Sequence, residues 1–440
     1  MKQRDKSTTV CPRQDHTFAR RMFLQGVVGG GMAFGGFGRL FSQDVAQQAE
    51  RQQKHVILIF MSGGPSQFET WDPKPGQPTS GPHLTIPTAI PGIRFDEFMP
   101  NLSRLANRMA VIRSMTSPFG QHEEGCKYSQ TAHRPSPATP PPPHWLSMCS
   151  RVLPQTNHSV PSYVMLGEGT GAFPTPDSGW LGARYSALHC PQGGQPPRDL
   201  PAANTEMIAA IQSRETLRSQ ISQQFAQHRN STPIEAHETA YRRMVSLLRS
   251  HTMFDLSREP NRLRERYGDS DLGKDCLLAR RLIEHGVSFV RVQHQRGGAW
   301  DKHRRIFQSQ RYITAEFDHA VGALIEDLID RGLWDNTLLI CMGEFGRTPQ
   351  ISGQPPGGGR NHWSRSWSMS LGGCGIRGGA VIGSTNADGT EVQNRPVTIP
   401  DLFCTFYRAL DINPHRELMY RDRPMPLVEN QEGHPVQELF

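Results

Sequence analysis

The feature that most constrains the fold is a series of short, almost wholly apolar runs that alternate with amphipathic segments. These runs lie at 55–61, 110–115, 162–166, 287–292 and 337–342. Continuous apolar runs of this length are typical of strands buried on both faces, and their alternation with helical patterns is typical of parallel sheets. The sequence therefore predicts an α/β fold, a single three-layer α/β/α sandwich with a mostly parallel central sheet.

The segments between these runs predict the helices and the domain limits. Helices are predicted at 99–108, 274–285, 312–331 and 400–410, and one more from near His122 to before Pro135. We interpret the polar, helix-forming stretch near 205–266 as a helical insertion and not as a separate domain. The sequence thus predicts one α/β domain at 50–426, followed by a C-terminal tail at 427–440.

The first 45 residues have the pattern of an export signal. Arg20 and Arg21 precede a glycine-rich, moderately apolar stretch at 26–41, which is typical of a twin-arginine leader. The alternatives are a basic amphipathic N-terminus and a membrane span, but the stretch is too short and glycine-rich for the ~20 residues of a span. We expect a periplasmic or exported protein that uses the twin-arginine pathway. No A-x-A site precedes Gln47, so an uncleaved leader stays open, and no further transmembrane segment is predicted.

Charge and cysteine usage limit the classes of partner. The formal net charge is +7, but no run of Lys and Arg with interleaved aromatic residues occurs, so nucleic-acid binding is not expected. A mildly basic surface favours an anionic small molecule or a polysaccharide. The seven cysteines outside the leader have no C-x-x-C spacing, which argues against a zinc knuckle, an evident disulfide framework or a redox centre. Cys126, Cys149 and Cys190 could still pair.

Acidic and imidazole side chains are concentrated in three glycine-rich patches. Asp301 and His303 follow one predicted strand, Glu344 follows another, and His362 follows a glycine-rich loop. Because the carboxyl ends of parallel strands form one edge of a sheet, we expect these side chains to meet there. Mixed carboxylate and imidazole donors suit Zn²⁺ or Mn²⁺, so the sequence predicts a centre for one or two divalent ions. The alternative is that the histidines are hydrogen-bonded structural residues.

Three further residues are candidates for binding a substrate. Ser66 lies in a Ser-Gly-Gly-Pro-Ser loop directly after the first predicted strand, and we interpret this loop as lining the site. Capping of a turn is the alternative role for Ser66. Arg347 and Arg360 flank the acidic patches and could hold an anion in a bidentate manner. Ion pairing with Glu344 or a nearby aspartate is an equally good interpretation of both arginines.

Several motifs together resemble a known family. They are GGPSQFETWDPKPG, HEEG followed by SQTAHRP, GGAWDKH, GEFGRTP and GRNHW. With the twin-arginine leader, they resemble the secreted bacterial family catalogued as domain of unknown function 1501, over about 55–413. That family resembles the alkaline-phosphatase and sulfatase-like superfamily, which implies a single α/β sandwich with a metal site at the carboxyl edge of its sheet.

The resemblance also implies roles for individual residues. Asp301, His303 and His362 resemble one intact metal site. Glu344 takes the place of a metal-binding aspartate, and Phe345 takes the place of a metal-binding histidine. The loop at 62–66 has no counterpart of the superfamily's first aspartate, and no Cys-x-Pro-x-Arg motif occurs. The resemblance therefore argues against a formylglycine-dependent sulfatase.

These observations lead to two hypotheses of function. The first is an exported metal-dependent hydrolase of phosphate- or sulfate-type esters, polysaccharide esters included, with water as the nucleophile. In this hypothesis a second ion is held by Glu344, His122 and Glu124, or these residues act as general acid and base. The resemblance places His122 near the nucleophile position of sulfatases. The second is a catalytically degenerate secreted protein that binds a glycan, an anion or a protein partner.

Overall fold

The computed structural model describes residues 53–440, apart from 138–139, 156, 158, 199, most of 201–249, 295–297 and 355–356. The leader predicted at 1–45 and most of the insertion predicted near 205–266 lie outside the described residues. Within the described part of the chain, no helix has both the length and the hydropathy needed to cross a membrane.

The described strands and helices follow the predicted alternation closely. The strands are β1 His55–Phe60, β2 Thr85–Pro87, β3 Arg94–Asp96, β4 Met109–Thr116, β5 Tyr163–Leu166, β6 Leu188–Cys190, β7 Phe289–Gln293, β8 Thr337–Met342, β9 Gly346–Arg347, β10 His362–Trp363, β11 Trp367–Gly372, β12 Val381–Ile382, β13 Ser384–Thr385, β14 Val392–Asn394, β15 Val397–Thr398, β16 Glu417–Tyr420 and β17 Arg423–Pro426. The helices are α1 Pro100–Arg104, α2 His122–Thr131, α3 Trp145–Val152, α4 Asn261–Tyr267, α5 Asp271–Glu284, α6 Ile306–Asp330 and α7 Ile399–Ala409.

The main sheet is mixed and mostly parallel, as predicted. It has nine strands among the described residues, in the order β12-β4-β11-β8-β1-β7-β5-β6, with β15 beside β4. The central strand β1 is parallel to β7 and β8, and β11 is antiparallel to both β4 and β8. The four strands β1, β4, β7 and β8 therefore point their carboxyl ends to the same edge.

Apolar side chains on both faces of this sheet confirm the three-layer sandwich. Alternate residues of β1 enter different clusters, since Leu58 packs into one cluster and Ile59 into the other. Helices α2, α3 and α7 contribute to the first cluster, and α1, α5 and α6 contribute to the second. The strand is buried on both faces, and this explains its uninterrupted apolar sequence.

The segment 427–440, predicted as a tail, is part of the sandwich. Leu427, Val428, Val436 and Leu439 are fully buried in the same cluster as α7. The backbone N–H of Val436 donates to the Thr405 hydroxyl of α7 at 2.9 Å. The segment is therefore part of the α/β domain and not the tail that the sequence predicts. The segment has few apolar residues and no periodicity, so its burial depends on the surface that α7 offers.

The described cysteines do not form disulfides. All seven outside the leader are free thiols and buried, so Cys126, Cys149 and Cys190 do not pair with one another. Each thiol packs as a small apolar side chain within the two clusters.

Candidate metal centre

Three histidines and two carboxylates reach the carboxyl edge of the sheet from four different loops. His122 is the first residue of α2 and follows β4, and Asp301 and His303 lie between β7 and α6. Glu344 follows β8, and His362 lies in β10 just before β11 enters the sheet in the opposite direction. Because β11 is antiparallel, its amino end lies at the same edge as the carboxyl ends of its neighbours.

The imidazole Nε2 atoms converge on the Asp301 carboxylate. His122 Nε2 lies 3.3 Å from Asp301 Oδ2, and the Nε2 atoms of His303 and His362 lie 3.0 and 3.5 Å from Oδ1. The Nε2 atoms of His303 and His362 are 3.2 Å apart. In a tetrahedral zinc site, bonds of about 2.0–2.1 Å place neighbouring donors about 3.3–3.4 Å apart. The donor atoms of His122, Asp301 and His362 all lie within 4.8 Å of one another, which fits a single divalent ion. His303 contacts Asp301 and His362 but lies outside this set.

Hydrogen bonds to the opposite ring nitrogens orient His303 and His362. Nδ1 of His303 lies 2.8 Å from Asn361 Oδ1, and Nδ1 of His362 lies 2.8 Å from the Gly120 carbonyl oxygen. A carbonyl oxygen only accepts, so each Nδ1 carries the hydrogen, and in the neutral imidazole each Nε2 then presents a lone pair. Two such lone pairs facing each other repel unless a proton or a cation lies between them. This arrangement is a second observation that favours a cation.

Glu344 lies behind His122, on the side away from the converging donors. Its Oε1 accepts from His122 Nδ1 at 2.7 Å and from the Gly63 backbone N–H at 2.9 Å. A carboxylate on the far nitrogen of an imidazole fixes the tautomer that binds a metal. The prediction counted Glu344 among the ligands. In the structure it is His122 that lies beside Asp301, and Glu344 is the hydrogen-bond partner of His122.

The charges in the centre favour a bound positive charge. Burial alone would lower the pKa of His122, but hydrogen bonds and negative charge from Asp301 and Glu344 raise it. Burial would raise the pKa of Asp301, but its contacts with His122 and His362 and the charge of Arg347 hold this pKa far below its usual range. Asp301 is therefore an anion at any physiological pH, as a metal ligand must be.

Arg347 is an internal ion-pair partner of Asp301. Its guanidinium is fully buried and donates to Asp301 Oδ1 at 2.7 Å, to the Gly64 carbonyl at 2.8 Å and to the Arg360 carbonyl at 3.2 Å. It also donates to the Gly63 carbonyl. The predicted role as a substrate clamp does not fit this position, because the guanidinium is closed off from solvent.

Arg360 is likewise occupied inside the protein. Its Nε and one terminal nitrogen pair with both oxygens of the fully buried Glu69, at 2.8–3.1 Å. The remaining donors bind the carbonyls of Thr348, Pro349 and Thr79. All five N–H groups of the guanidinium are thus satisfied. Arg360 therefore holds the surrounding loops together, and the predicted substrate-binding role does not fit its position.

Ser66 and Glu124 are not part of the converging group. Ser66 is fully buried, and its hydroxyl has no hydrogen-bond partner among the described atoms. Glu124 is exposed on α2, two positions after His122, and residues two apart lie on different faces of a helix. The burial of Ser66 and the direction of Glu124 oppose the substrate-binding and catalytic roles predicted for them.

Aromatic rings beside the centre were not predicted from the sequence. The centroid of the Phe173 ring lies 4.4 Å from that of the His122 ring. The centroid of the buried Phe345 ring lies 5.0 Å from that of His122 and 4.8 Å from that of His362. Phe345 was noted only as a replacement for a histidine, and Phe173 stands in a glycine-rich stretch without any local signal. The two rings make one side of the centre apolar.

The two loops that carry His303 and His362 are joined through their backbones. The N–H groups of Arg305 and Ile306 donate to the carbonyls of Gly357 and Gly358, and the Arg360 N–H donates to the Lys302 carbonyl. A Cβ atom at Gly359 would lie 2.0 Å from the His303 carbonyl oxygen. Only glycine allows this approach, which brings the two imidazoles to one point.

Comparison with solved structures finds several proteins of low similarity. A PsFucS1 sulfatase from Pseudoalteromonas sp. is 12% identical with a TM-score of 0.39, and the match covers 84% of this chain and 72% of that chain. The phosphonate monoester hydrolase SpPMH from Silicibacter pomeroyi is 12% identical with a TM-score of 0.39, covering 88% and 76%. The lipoteichoic acid synthase LtaP from Listeria monocytogenes is 10% identical with a TM-score of 0.35, covering 83% and 73%. These similarities are too low to transfer an activity, a substrate or a metal to this chain.

A family model provides the firmer comparison. The family is described as "Protein of unknown function (DUF1501)", and its model matches residues 53–440. The match includes the sandwich, every loop of the candidate centre and the C-terminal segment packed on α7. The chain therefore belongs to the DUF1501 family.

Proposed function

We propose that the protein is an exported, metal-dependent hydrolase of phosphate- or sulfate-type esters. One observation carries this proposal: the Nε2 atoms of His122, His303 and His362 converge on Asp301 at 3.0–3.5 Å. The opposite nitrogen of each ring is held by an acceptor. This is the arrangement that a mixed imidazole and carboxylate metal site requires.

The centre is open to solvent from one side. The side chain of His303 is 45% exposed and that of His362 is 18% exposed, whereas His122 is buried. A substrate would therefore approach over His303. The apolar rings of Phe173 and Phe345 on the His122 side keep water away there, which strengthens electrostatic interactions.

The chain's own residues define what the centre can do. A divalent ion at these ligands, zinc or manganese, would supply Lewis-acid activation of an ester oxygen and lower the pKa of water. Glu344 keeps His122 in the tautomer that presents Nε2, and Arg347 keeps Asp301 ionised and in place. Water is the nucleophile in this proposal because Ser66 is buried. Cys126 is not the nucleophile in this proposal either, because burial and the charge of Glu344 raise the pKa of its thiol.

Exposed basic side chains support an anionic substrate. Arg304, Arg305 and Arg365 are exposed and flank His303 and His362 in the sequence, while Arg347 and Arg360 are engaged inside the protein. An anionic ester, including one carried by a polysaccharide, would meet these exposed guanidinium groups first. Export is supported by the twin arginine at Arg20 and Arg21.

A second function is favoured by a different observation. The loop at 62–66 carries no carboxylate, and Phe345 presents an apolar ring beside His122 and His362. A protein that retains the fold without turnover would bind a glycan, an anion or a protein partner at this edge.

Metal analysis combined with ester hydrolysis distinguishes the two functions. The wild type would be compared with a His303→Ala, His362→Ala double variant, using aryl phosphate and aryl sulfate esters as probes. Bound zinc or manganese and hydrolysis, both lost in the variant, would support the hydrolase. Metal without hydrolysis would favour the binding protein, and absence of metal after reconstitution would sink the metal hydrolase. A His415→Ala, His434→Ala double variant, which removes two exposed histidines elsewhere, is the matched control.

A further inference from the structure

We propose that the Arg347 guanidinium takes the place of a second metal ion, so that the centre binds a single divalent ion per chain. This inference rests on the proposed metal-dependent function and adds to it the number of ions and the source of the second positive charge. It is carried by the contacts of Arg347 with Asp301 and with the loop after β1.

Asp301 contacts both the imidazoles of the centre and the Arg347 guanidinium. Both of its oxygens face the imidazoles, at 3.0–3.5 Å from their Nε2 atoms. The same Oδ1 also accepts from Arg347 at 2.7 Å. In two-metal hydrolases a second ion about 3.5–4 Å from the first shares the developing charge. Here a side-chain cation contacts the same carboxylate.

The atoms around the Arg347 guanidinium are oxygens. It is held by Asp301 Oδ1, by the carbonyls of Gly63 and Gly64, and by the carbonyl of Arg360. Carboxylate and carbonyl oxygens are the donors that hard divalent cations prefer. The guanidinium thus fills an oxygen-lined space that would otherwise suit such an ion.

The β1 loop packs closely against Asp301 and Phe345. A Cβ atom at Gly63 would lie 2.5 Å from the Asp301 backbone nitrogen, and one at Gly64 would lie 2.8 Å from the Phe345 ring. Both glycines have positive φ, 107° and 68°. The loop therefore approaches Asp301 as closely as its backbone allows, with Arg347 bridging the two.

The balance of charge also argues against a second ion. The carboxylates of the centre are the buried Glu344 and the partly exposed Asp301, and Arg347 already contributes one positive charge that a protein cannot remove by deprotonation. One divalent ion with Arg347 exceeds the charge of the two carboxylates. A second divalent ion would lie against the fixed guanidinium, where burial makes like charges especially costly.

Metal stoichiometry of the wild-type protein is the first test. Titration of metal-free protein with Zn²⁺ and Mn²⁺, checked by elemental analysis, is expected to give about one equivalent per chain. Two equivalents would overturn this inference and leave the proposed hydrolase standing. No binding would overturn both. This readout does not depend on any substitution being tolerated.

The Arg347→Met variant tests whether the guanidinium is the substitute. Without the guanidinium, the oxygen-lined space is expected to accept a second ion, so Mn²⁺ or Ca²⁺ should raise both the stoichiometry and the melting temperature. Arg347→Lys keeps the positive charge and is expected to stay at about one equivalent. If Arg347→Met also stays at one equivalent and its melting temperature does not respond to these ions, Arg347 does not replace a metal.

Arg291→Met is the matched control for the loss of a buried guanidinium. Arg291 is also fully buried, but it donates to the side-chain oxygens of Gln130 and Gln293. Its replacement is expected to lower the melting temperature without any recovery on addition of Mn²⁺ or Ca²⁺. Recovery of this control by the same ions would show that ion-dependent stabilisation is not specific to Arg347.

Discussion

At the scale of single residues, the candidate centre depends on the hydrogen bonds made by the histidine Nδ1 atoms, which point away from the converging Nε2 atoms. His122, His303 and His362 each present Nε2, and each is oriented by the acceptor on its Nδ1. Only His122 has a carboxylate, Glu344, as that acceptor. A charged acceptor raises the basicity of an imidazole more than a neutral carbonyl does, so Glu344 should affect metal affinity without touching the metal.

Replacing Glu344 with Gln tests this dependence. The amide keeps the volume but removes the negative charge behind His122, so we expect the affinity for Zn²⁺ to fall about 10- to 100-fold. Chelator competition would measure the affinity, and circular dichroism would verify the fold. Glu123→Gln is the matched control, because Glu123 is exposed in the same helical turn and pairs with Lys127. Equal affinities for both variants and the wild type would refute the positioning role of Glu344.

A second residue-scale prediction concerns Asp275 in α5. Burial raises the pKa of Asp275 to about 7, although the Gly194 N–H donates to it. Because the folded state holds this proton more tightly than the unfolded state, the contribution of Asp275 to stability is largest below the unfolded pKa of 3.8. It is lost as the pH rises towards 7, by up to about 1.4 kcal/mol per pH unit.

Replacing Asp275 with Asn should remove this loss. Urea unfolding at pH 4 and pH 8 would measure the difference between variant and wild type. We expect the variant to gain about 2–4 kcal/mol relative to the wild type between the two pH values. The same difference at both pH values would contradict the prediction.

At the scale of elements, the centre depends on two loops that are held together by their backbones. One precedes α6 and carries Asp301 and His303, and the other, at 357–361, leads into β10 and His362. Neither loop has strand or helix of its own to define its position. The approach at Gly359 therefore sets the distance between the two imidazoles.

Replacing Gly359 with Ala should separate the two loops. The added Cβ would lie 2.0 Å from the His303 carbonyl oxygen, so one loop must shift. We expect metal affinity to fall at least about tenfold and the free energy of unfolding to fall by about 1–3 kcal/mol. Calorimetric titration and denaturant unfolding would measure these quantities. In Gly357→Ala, the nearest atom to the new Cβ is 3.7 Å away, so this control should resemble the wild type.

The elements themselves are largely predictable, with particular exceptions. The strand predicted at 337–342 coincides with β8, and the run at 110–115 lies within β4. Both strands are largely buried on both faces, so their sequences are mostly apolar. Helix α3 was not predicted, because it follows a proline-rich loop and is only eight residues long. The antiparallel direction of β11 has no local signal, since strand direction is set by the path of the chain.

At the scale of the whole molecule, the C-terminal segment completes the layer of helices on one face. Leu427, Val428, Val436 and Leu439 are buried against the same cluster as α7. Full burial of each such side chain contributes about 1.5–3 kcal/mol. Their sum, about 6–12 kcal/mol, is comparable with the total stability of a typical domain.

Truncation after Pro426 is therefore expected to prevent stable folding. The shortened chain should be insoluble or should lack a cooperative thermal transition, which expression trials and calorimetry would show. Deletion of Phe440 alone, whose ring is exposed, is the control and should leave the transition in place. A truncated protein with wild-type melting behaviour would show that 427–440 is dispensable, as the prediction of a tail implied.

The sequence by itself determined the sandwich and the edge at which the functional groups collect. Continuous apolar runs specify buried strands, and polar residues directly after those runs must lie at their carboxyl ends. For this reason Asp301, His303 and Glu344 could be assigned to one edge from the sequence, whereas His122 was placed near the site by the family resemblance. His362 was assigned there from its glycine-rich setting and from the family resemblance.

Only the tertiary structure decided what each side chain does at that edge. Glu344 orients His122, and Arg347 and Arg360 point inward and bind Asp301 and the buried Glu69. Glu124 lies on the outer side of α2. The physical reason is that a side chain's direction and burial depend on partners far away in the sequence, such as Gly63 for Glu344 and Glu69 for Arg360. Local sequence carries no information about those partners.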